Sequence, residues 1–179
     1  MDWQAVIDRY YPADSKVRDI LLRHSRSVAG LAADISRRKG LGIPDGDIEA
    51  AAMLHDIGII ATDAPGIDCH GDKPYLAHGI LGADMMRAMG VDEKFARIAE
   101  RHTGAGLTHE EIAAAGLPLP LDRSYMPETT LEKLICYADC FFSKSGDMTE
   151  KPLGRVRTSM AGFGPGVASR FEELHHLFS

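Results

Sequence analysis

Cysteine is scarce in this sequence: three residues in 179, Cys69, Cys136 and Cys140. An odd and scattered set of thiols excludes a disulfide framework. Cys136 and Cys140 stand one helical turn apart in an apolar run and read as small core residues. Long apolar runs are missing as well. None approaches the roughly 18 residues that a membrane span needs. The opening Met1-Asp2-Trp3-Gln4 has no basic region followed by an apolar stretch, so it does not read as a signal peptide. A cytoplasmic location is the expectation. There is also no surplus of positive charge: the net charge is −6. That argues against nucleic acid as a partner, which needs a basic face. A small phosphorylated partner stays open, because a bound metal supplies local positive charge. Finally, strand-like alternation, internal repeats and low-complexity tracts are absent, and no linker divides the chain.

What is present is helical periodicity and a substantial apolar fraction, 45%. The reading is all-α, one domain over residues 1–179, with a motif core at about 16–145 and a C-terminal helical segment at about 152–178. Val17, Ile20, Leu21, Val28, Leu31 and Ile35 lie on one face of a helix capped by Ser15 and stopped by Gly40. A second helix, capped by Asp45 or Asp47, runs through Leu54 and ends near Gly58, a candidate for the left-handed C′ position. A Gly-, Pro- and Asp-rich loop covers Thr62 to Pro74. A third helix spans Tyr75 to Met89 with Ile80, Leu81, Met85 and Met89 inward. A fourth covers Asp92 to Arg101. Thr108 and Glu111 fit a capping box for a short helix ending at Gly116. Leu117 to Pro127 reads as loop, and a sixth helix runs from Glu128 to Lys144. The last segment is helical on either side of Gly162–Gly166.

The placement of the histidines matters more than their number. His24 shares a face with Val17, Leu21 and Val28. His55 and Asp56 close an apolar helix in Ala51-Ala52-Met53-Leu54-His55-Asp56-Ile57-Gly58. Asp139 sits between Ala138 and Cys140 in the most apolar helix, where an isolated carboxylate is expensive to bury. Each residue alone has an ordinary explanation: a hydrogen-bonded core histidine, or an aspartate paired with an arginine or a helix end. Together, on helices that share one core, they suit a metal. Imidazole and carboxylate favour iron, manganese, zinc or cobalt, whereas magnesium and calcium prefer oxygen alone.

His24, then His55-Asp56, then Asp139 resemble the H…HD…D signature of the HD-domain superfamily, and His55-Asp56-Ile57-Gly58 is its HDIG form. His78 in Ala77-His78-Gly79 and His102 in Arg101-His102-Thr103-Gly104 resemble the additional ligands of the dinuclear branch. The resemblance covers about Lys16 to Ser145. Within the superfamily the chain resembles HDIG proteins of unassigned substrate and the bacterial diadenosine tetraphosphate hydrolases. The segment Leu107 to Pro127 is longer than in those hydrolases and bears on the substrate.

The resemblance implies a compact helical HD bundle holding two divalent metals. Iron or manganese comes first; zinc, cobalt, nickel and magnesium are alternatives in an isolated protein. One metal would take His24, His55, Asp56 and Asp139; the other would take Asp56 as a bridge, with His78 and His102. Asp56 would then position a metal-activated hydroxide. The implied activity is hydrolysis of a nucleotide or related phosphate ester. Two alternatives are a dinuclear-iron oxygenase on the same scaffold and a non-catalytic signalling module. Arg23, Arg26, Ser27, Lys73, Arg101, Thr103, Lys133, Lys151, Arg155 and Arg157 are candidate contacts to substrate, although for any one of the cations a solvated surface charge is the stronger reading. His70, His109, His175 and His176 read as surface residues. A small phosphorylated substrate is the expected partner, without nucleic acid or membrane; a homodimer is compatible with a small helical domain.

Overall fold

A computed structural model describes all 179 residues. Nine α-helices are present: α1 (Trp3–Tyr10), α2 (Lys16–Lys39), α3 (Asp45–Leu54), α4 (His78–Ala88), α5 (Glu93–Arg101), α6 (His109–Ala115), α7 (Thr130–Asp139), α8 (Leu153–Gly162) and α9 (Pro165–Phe178). The only sheet is a hairpin of two short strands, β1 (Asp63–Ala64) and β2 (Cys69–His70), inside the expected Thr62–Pro74 loop. The all-α expectation holds. No helix is long and apolar enough to cross a membrane.

Local chemistry explains most of the boundaries. The Ser15 hydroxyl accepts the Arg18 N–H at the start of α2, and Gly40 ends it with φ +61°. Helix α6 starts with the reciprocal Thr108–Glu111 capping box and ends at left-handed Gly116. Helix α1, absent from the sequence reading, is capped by Asp2 and buries Val6 and Ile7. Helix α3 packs against α2, α5 and α7, and α7 also lies against α2 and α5, so these four enclose the centre of the bundle. Helix α4 packs on α5 and on the 3-10 turn Ile57–Ala61 that follows α3. Helix α9 closes the far side of α7.

Four expectations need correction. Pro44, not Asp45 or Asp47, stands at the N-cap of α3, no side chain caps it, and the two aspartates lie in its first turn. Gly58 is not a left-handed helix terminator: it is buried in the 3-10 turn, and a Cβ there would stand 2.1 Å from the His78 carbonyl oxygen and 2.4 Å from the Gly82 nitrogen. Its small size permits backbone contact between the turn and α4. The buried face of α4 is therefore Gly79, Gly82, Ala83 and Met86, and Met89 is exposed. The small residues let the helix approach by its backbone, so that Met86 is fully buried, Ile80 packs at the edge of the core, and Leu81 and Met85 are half-buried. Finally, α7 ends at Asp139 rather than Lys144. Phe141 and Phe142 extend the apolar pattern, but they pack from the loop that follows.

Candidate metal centre

The six side chains singled out in the sequence come together. His24 lies mid-way along α2. His55 caps the C-terminus of α3, and Asp56 opens the 3-10 turn behind it. His78 is the first residue of α4, His102 caps the C-terminus of α5, and Asp139 is the last residue of α7. Five of the six thus stand at helix ends, where the chain turns and adjacent side chains can converge on a point.

Asp56 is fully buried and divides the cluster. Its Oδ2 lies 3.0 Å from Nε2 of His24 and 3.0 Å from Nε2 of His55. Its Oδ1 lies 3.3 Å from Nε2 of both His78 and His102. Asp139 Oδ1 joins the first group, 2.9 Å from His24 Nε2 and 3.3 Å from His55 Nε2. Four donors therefore converge on one side of Asp56 and three, counting Asp56 again, on the other.

The imidazoles are oriented for ligation. Nδ1 of His55 stands 2.6 Å from the Ala52 carbonyl, Nδ1 of His78 stands 2.7 Å from that of Tyr75, and Nδ1 of His102 stands 2.8 Å from that of Ala99. A carbonyl can only accept, so Nδ1 carries the proton in each ring and the unprotonated form directs the Nε2 lone pair inward. Each partner lies three residues before its histidine, so the preceding helical turn supplies it.

The donor set fits divalent metals. Asp56 Oδ1 and Asp139 Oδ1 are buried without an aligned hydrogen-bond donor, a costly state unless a cation satisfies them, and the cation beside Asp56 Oδ2 is Lys144. Separations of 2.9–3.3 Å between donors suit a shared ion about 2.0–2.2 Å from each. Without metal, burial opposes charge on His55, but Asp56 and Asp139 outweigh it and raise its pKa to about 10. Burial also opposes the charge on Asp56, yet His55 and Lys144 hold its carboxyl well below the usual range. On the other side burial wins, and the His78 pKa falls to about 3.

Sequence reasoning missed two residues here. Tyr11 is buried; its hydroxyl donates to the Ile57 carbonyl at 2.7 Å and accepts the Ile60 N–H, tying down the turn behind Asp56. Lys144, on the loop after α7, brings Nζ to 2.6 Å from Asp56 Oδ2. Burial works against its charge, but Asp56 and Asp139 lift its pKa above the ordinary lysine range. The apolar residues after Asp139 disguised its position as helical.

Of the ten candidate substrate contacts, Thr103 and Lys151 line a cavity of about 190 Å³ that also exposes His78, His102 and Asp139. Lys151 and Arg155 line a larger polar cavity, about 780 Å³, that touches none of the six metal-ligand candidates. The smaller cavity is the one at the chemistry. The other seven candidates do not line it. Arg101 is buried and pairs with Glu128 and Glu132, Arg157 with Glu172, Lys73 with Asp72, and exposed Arg23 with Asp19. The Ser27 hydroxyl donates to the Arg23 carbonyl. Arg26 is exposed, and Lys133 is half-buried on α7. No residue of Leu107–Pro127 lines the small cavity; the segment is instead anchored to α9 through the Arg170–Glu111 ion pair. Among the histidines expected at the surface, His70, His109 and His176 are exposed, while His175 is half-buried with Nδ1 2.9 Å from the Tyr137 hydroxyl.

Comparison with known proteins agrees with this arrangement at the level of family. The HD domain family model matches residues 21–142. A protein of Thermoplasma volcanium named tRNA (cytidine(56)-2'-O)-methyltransferase is 34% identical over 99% of this chain and 47% of its own length. An uncharacterised protein of Methanocaldococcus jannaschii is 36% identical over 66% of this chain and 64% of its own. A Picrophilus torridus protein that also bears the methyltransferase name is 37% identical over 75% of this chain and 35% of its own. The chain thus spans about half or less of the two named relatives. None of these three is named a diadenosine tetraphosphate hydrolase. No solved structure matches. The family model covers most of the chain and includes His24, His55, Asp56, His78, His102 and Asp139; the chain belongs to the HD domain family.

Proposed function

We propose that this chain is a metal-dependent phosphohydrolase that cleaves a nucleotide or related phosphate ester with metal-activated water. The observation that carries the reading is the division of Asp56, with one oxygen turned to His24 and His55 and the other to His78 and His102. His24, His55, Asp56 and Asp139 would hold one ion; Asp56, His78 and His102 would hold the second. Imidazole and carboxylate suit iron or manganese. Bound divalent ions supply a coordinated water whose pKa drops from 15.7 to about 7, together with positive charge for the phosphoryl oxygens.

The chain's own residues do the rest. Asp56 holds the two halves in register, and the three Nδ1 hydrogen bonds keep the rings from turning. The cavity beside His78, His102 and Asp139 admits the phosphate, with Thr103, Ser159 and Lys151 on its walls. Cys140 also lines it, but burial pushes its thiol well above the usual range and it donates to the Gly104 carbonyl. It is no thiolate nucleophile. Direct attack by water on phosphorus follows, without a covalent phospho-enzyme.

The names of two relatives favour a second reading, in which the chain acts on or beside a tRNA. It spans only part of those proteins. Its one sheet is a two-residue hairpin, so it offers none of the open-sheet crevice at which α/β proteins bind nucleotide cofactors. Its net charge of −6 supplies no general basic face for tRNA. Hydrolysis in oxygen-18 water by the manganese- or iron-loaded protein, over mono-, di- and dinucleoside phosphates and tRNA, separates the readings. Label in the phosphate-containing product after one turnover is the expected result. No cleavage of any phosphate substrate, alongside methyl transfer to tRNA when a sulfonium methyl donor is supplied, overturns it.

A further inference from the structure

Every arginine near the centre is engaged away from it. Arg101 pairs with Glu128 and Glu132, Arg87 and Arg123 pair with Glu100, and Arg170 pairs with Glu111. The cations that line the cavity at the metal-ligand cluster are lysines, Lys144 and Lys151. They differ in what they touch. Lys151 has no ion-pair partner. Lys144 is buried to nearly nine-tenths and places Nζ 2.6 Å from Asp56 Oδ2. That is the same oxygen that faces His24 and His55, and so the one a metal on that side must take.

An ammonium and a divalent ion on one oxygen at that range oppose each other, because like charges a few ångströms apart in a buried site repel strongly. Each therefore weakens the other's hold on Asp56. Lys144 stands on a loop rather than on a helix. Its stem hangs from the loop between α7 and α8, and its one other close partner is the face of the Tyr75 ring, 5.9 Å from Nζ. The space it can enter is already open: Lys144 stands between the 190 Å³ cavity and a neighbouring cavity of about 410 Å³. In the first it meets Lys151, Thr103 and Ser159, which suit an anion, beside the Asp139 carboxylate.

We propose that Lys144 is a tethered cation that alternates between two anions: it occupies Asp56 in the metal-free protein, is displaced by metal, and then binds the phosphate of the substrate. The substrate half of this proposal rests on the phosphohydrolase reading; the competition with metal does not. A lysine that occupies a metal seat lowers apparent metal affinity and at the same time raises affinity for phosphate. Its removal must therefore move the two in opposite directions. A lysine that merely supports the loop weakens both or neither.

The test measures manganese binding by calorimetry, and inorganic phosphate binding to the manganese-loaded protein, in wild type, Lys144→Gln, Lys144→Met and Lys151→Gln. The two Lys144 variants guard against one failing to fold, which circular dichroism reports. Both are expected to bind manganese about tenfold more tightly and phosphate about tenfold more weakly, while Lys151→Gln weakens phosphate alone. Unchanged or weaker manganese binding in the folded Lys144 variants overturns the competition. Unchanged phosphate binding overturns the handover. If both shifts appear and the metal-loaded wild type cleaves no phosphate ester, the alternation stands and the phosphohydrolase reading falls.

Discussion

The two sides of Asp56 are built differently. On one side His24, His55 and Asp139 come from α2, α3 and α7, and both histidines are fully buried. On the other, His78 and His102 come from α4 and α5, border the open cavity, and retain slight exposure. Charge differs in the same sense: without metal His55 is held protonated by two carboxylates, whereas His78 is held neutral by burial. The inner histidines belong to the core, while Asp139 of the same half shares the cavity with the outer histidines. One carboxylate, Asp56, couples the two halves.

The largest effect should come from that carboxylate. Asp56→Ala is expected to reduce bound metal from two ions to none and abolish hydrolysis while the helices persist, as elemental analysis and circular dichroism would record. Next, removing one donor should separate the halves. His102→Ala is expected to lose only the outer metal, whereas His24→Ala weakens the inner metal first. Equal losses from both variants would break the distinction.

Acidity sharpens it further. In chelator-treated protein, the contribution of His55 to stability is full below the unfolded pKa of about 6.5 and fades as pH rises through about 10. His78 runs the other way: its contribution is full above about 6.5 and fades as pH falls toward about 3. Urea unfolding across pH should lose the alkaline decline in His55→Gln and the acid decline in His78→Gln. Smaller effects come from two glycines. A Cβ on Gly79 would stand 2.5 Å from the Ala99 carbonyl oxygen, so Gly79→Ala should separate α4 from α5, cost about 1–3 kcal/mol and loosen the outer metal. Gly30, on the exposed face of α2, has open space around it. Gly30→Ala should stabilise by about 0.5–1 kcal/mol in a denaturant melt and leave both metals in place.

How legible these features were in sequence depends on how local their physics is. The caps at Ser15 and Thr108 and the left-handed stops at Gly40 and Gly116 are set by neighbouring residues, and periodicity with turn chemistry finds them. His24, His55, Asp56 and Asp139 stood out as polar groups on apolar helices. His78 and His102 did not, because one starts a helix and the other ends one; only the family resemblance marked them. The inward face of α4 was misjudged because its contacts are between backbones, through Gly58, Gly79 and Gly82, and hydrophobic spacing does not register an approach made possible by missing side chains. Tyr11 and Lys144 reach the centre through tertiary contacts with Ile57 and Asp56, 46 and 88 positions away in the chain, and no local pattern encodes them.

Anomalous diffraction at the manganese edge, from crystals of the manganese-loaded protein, tests the bridging role of Asp56 most directly. Two peaks are expected, one among His24, His55 and Asp139 and one beside His78 and His102, each taking a different oxygen of Asp56. A metal bound by neither His55 nor Asp139, or an Asp56 that touches no ion, would contradict it.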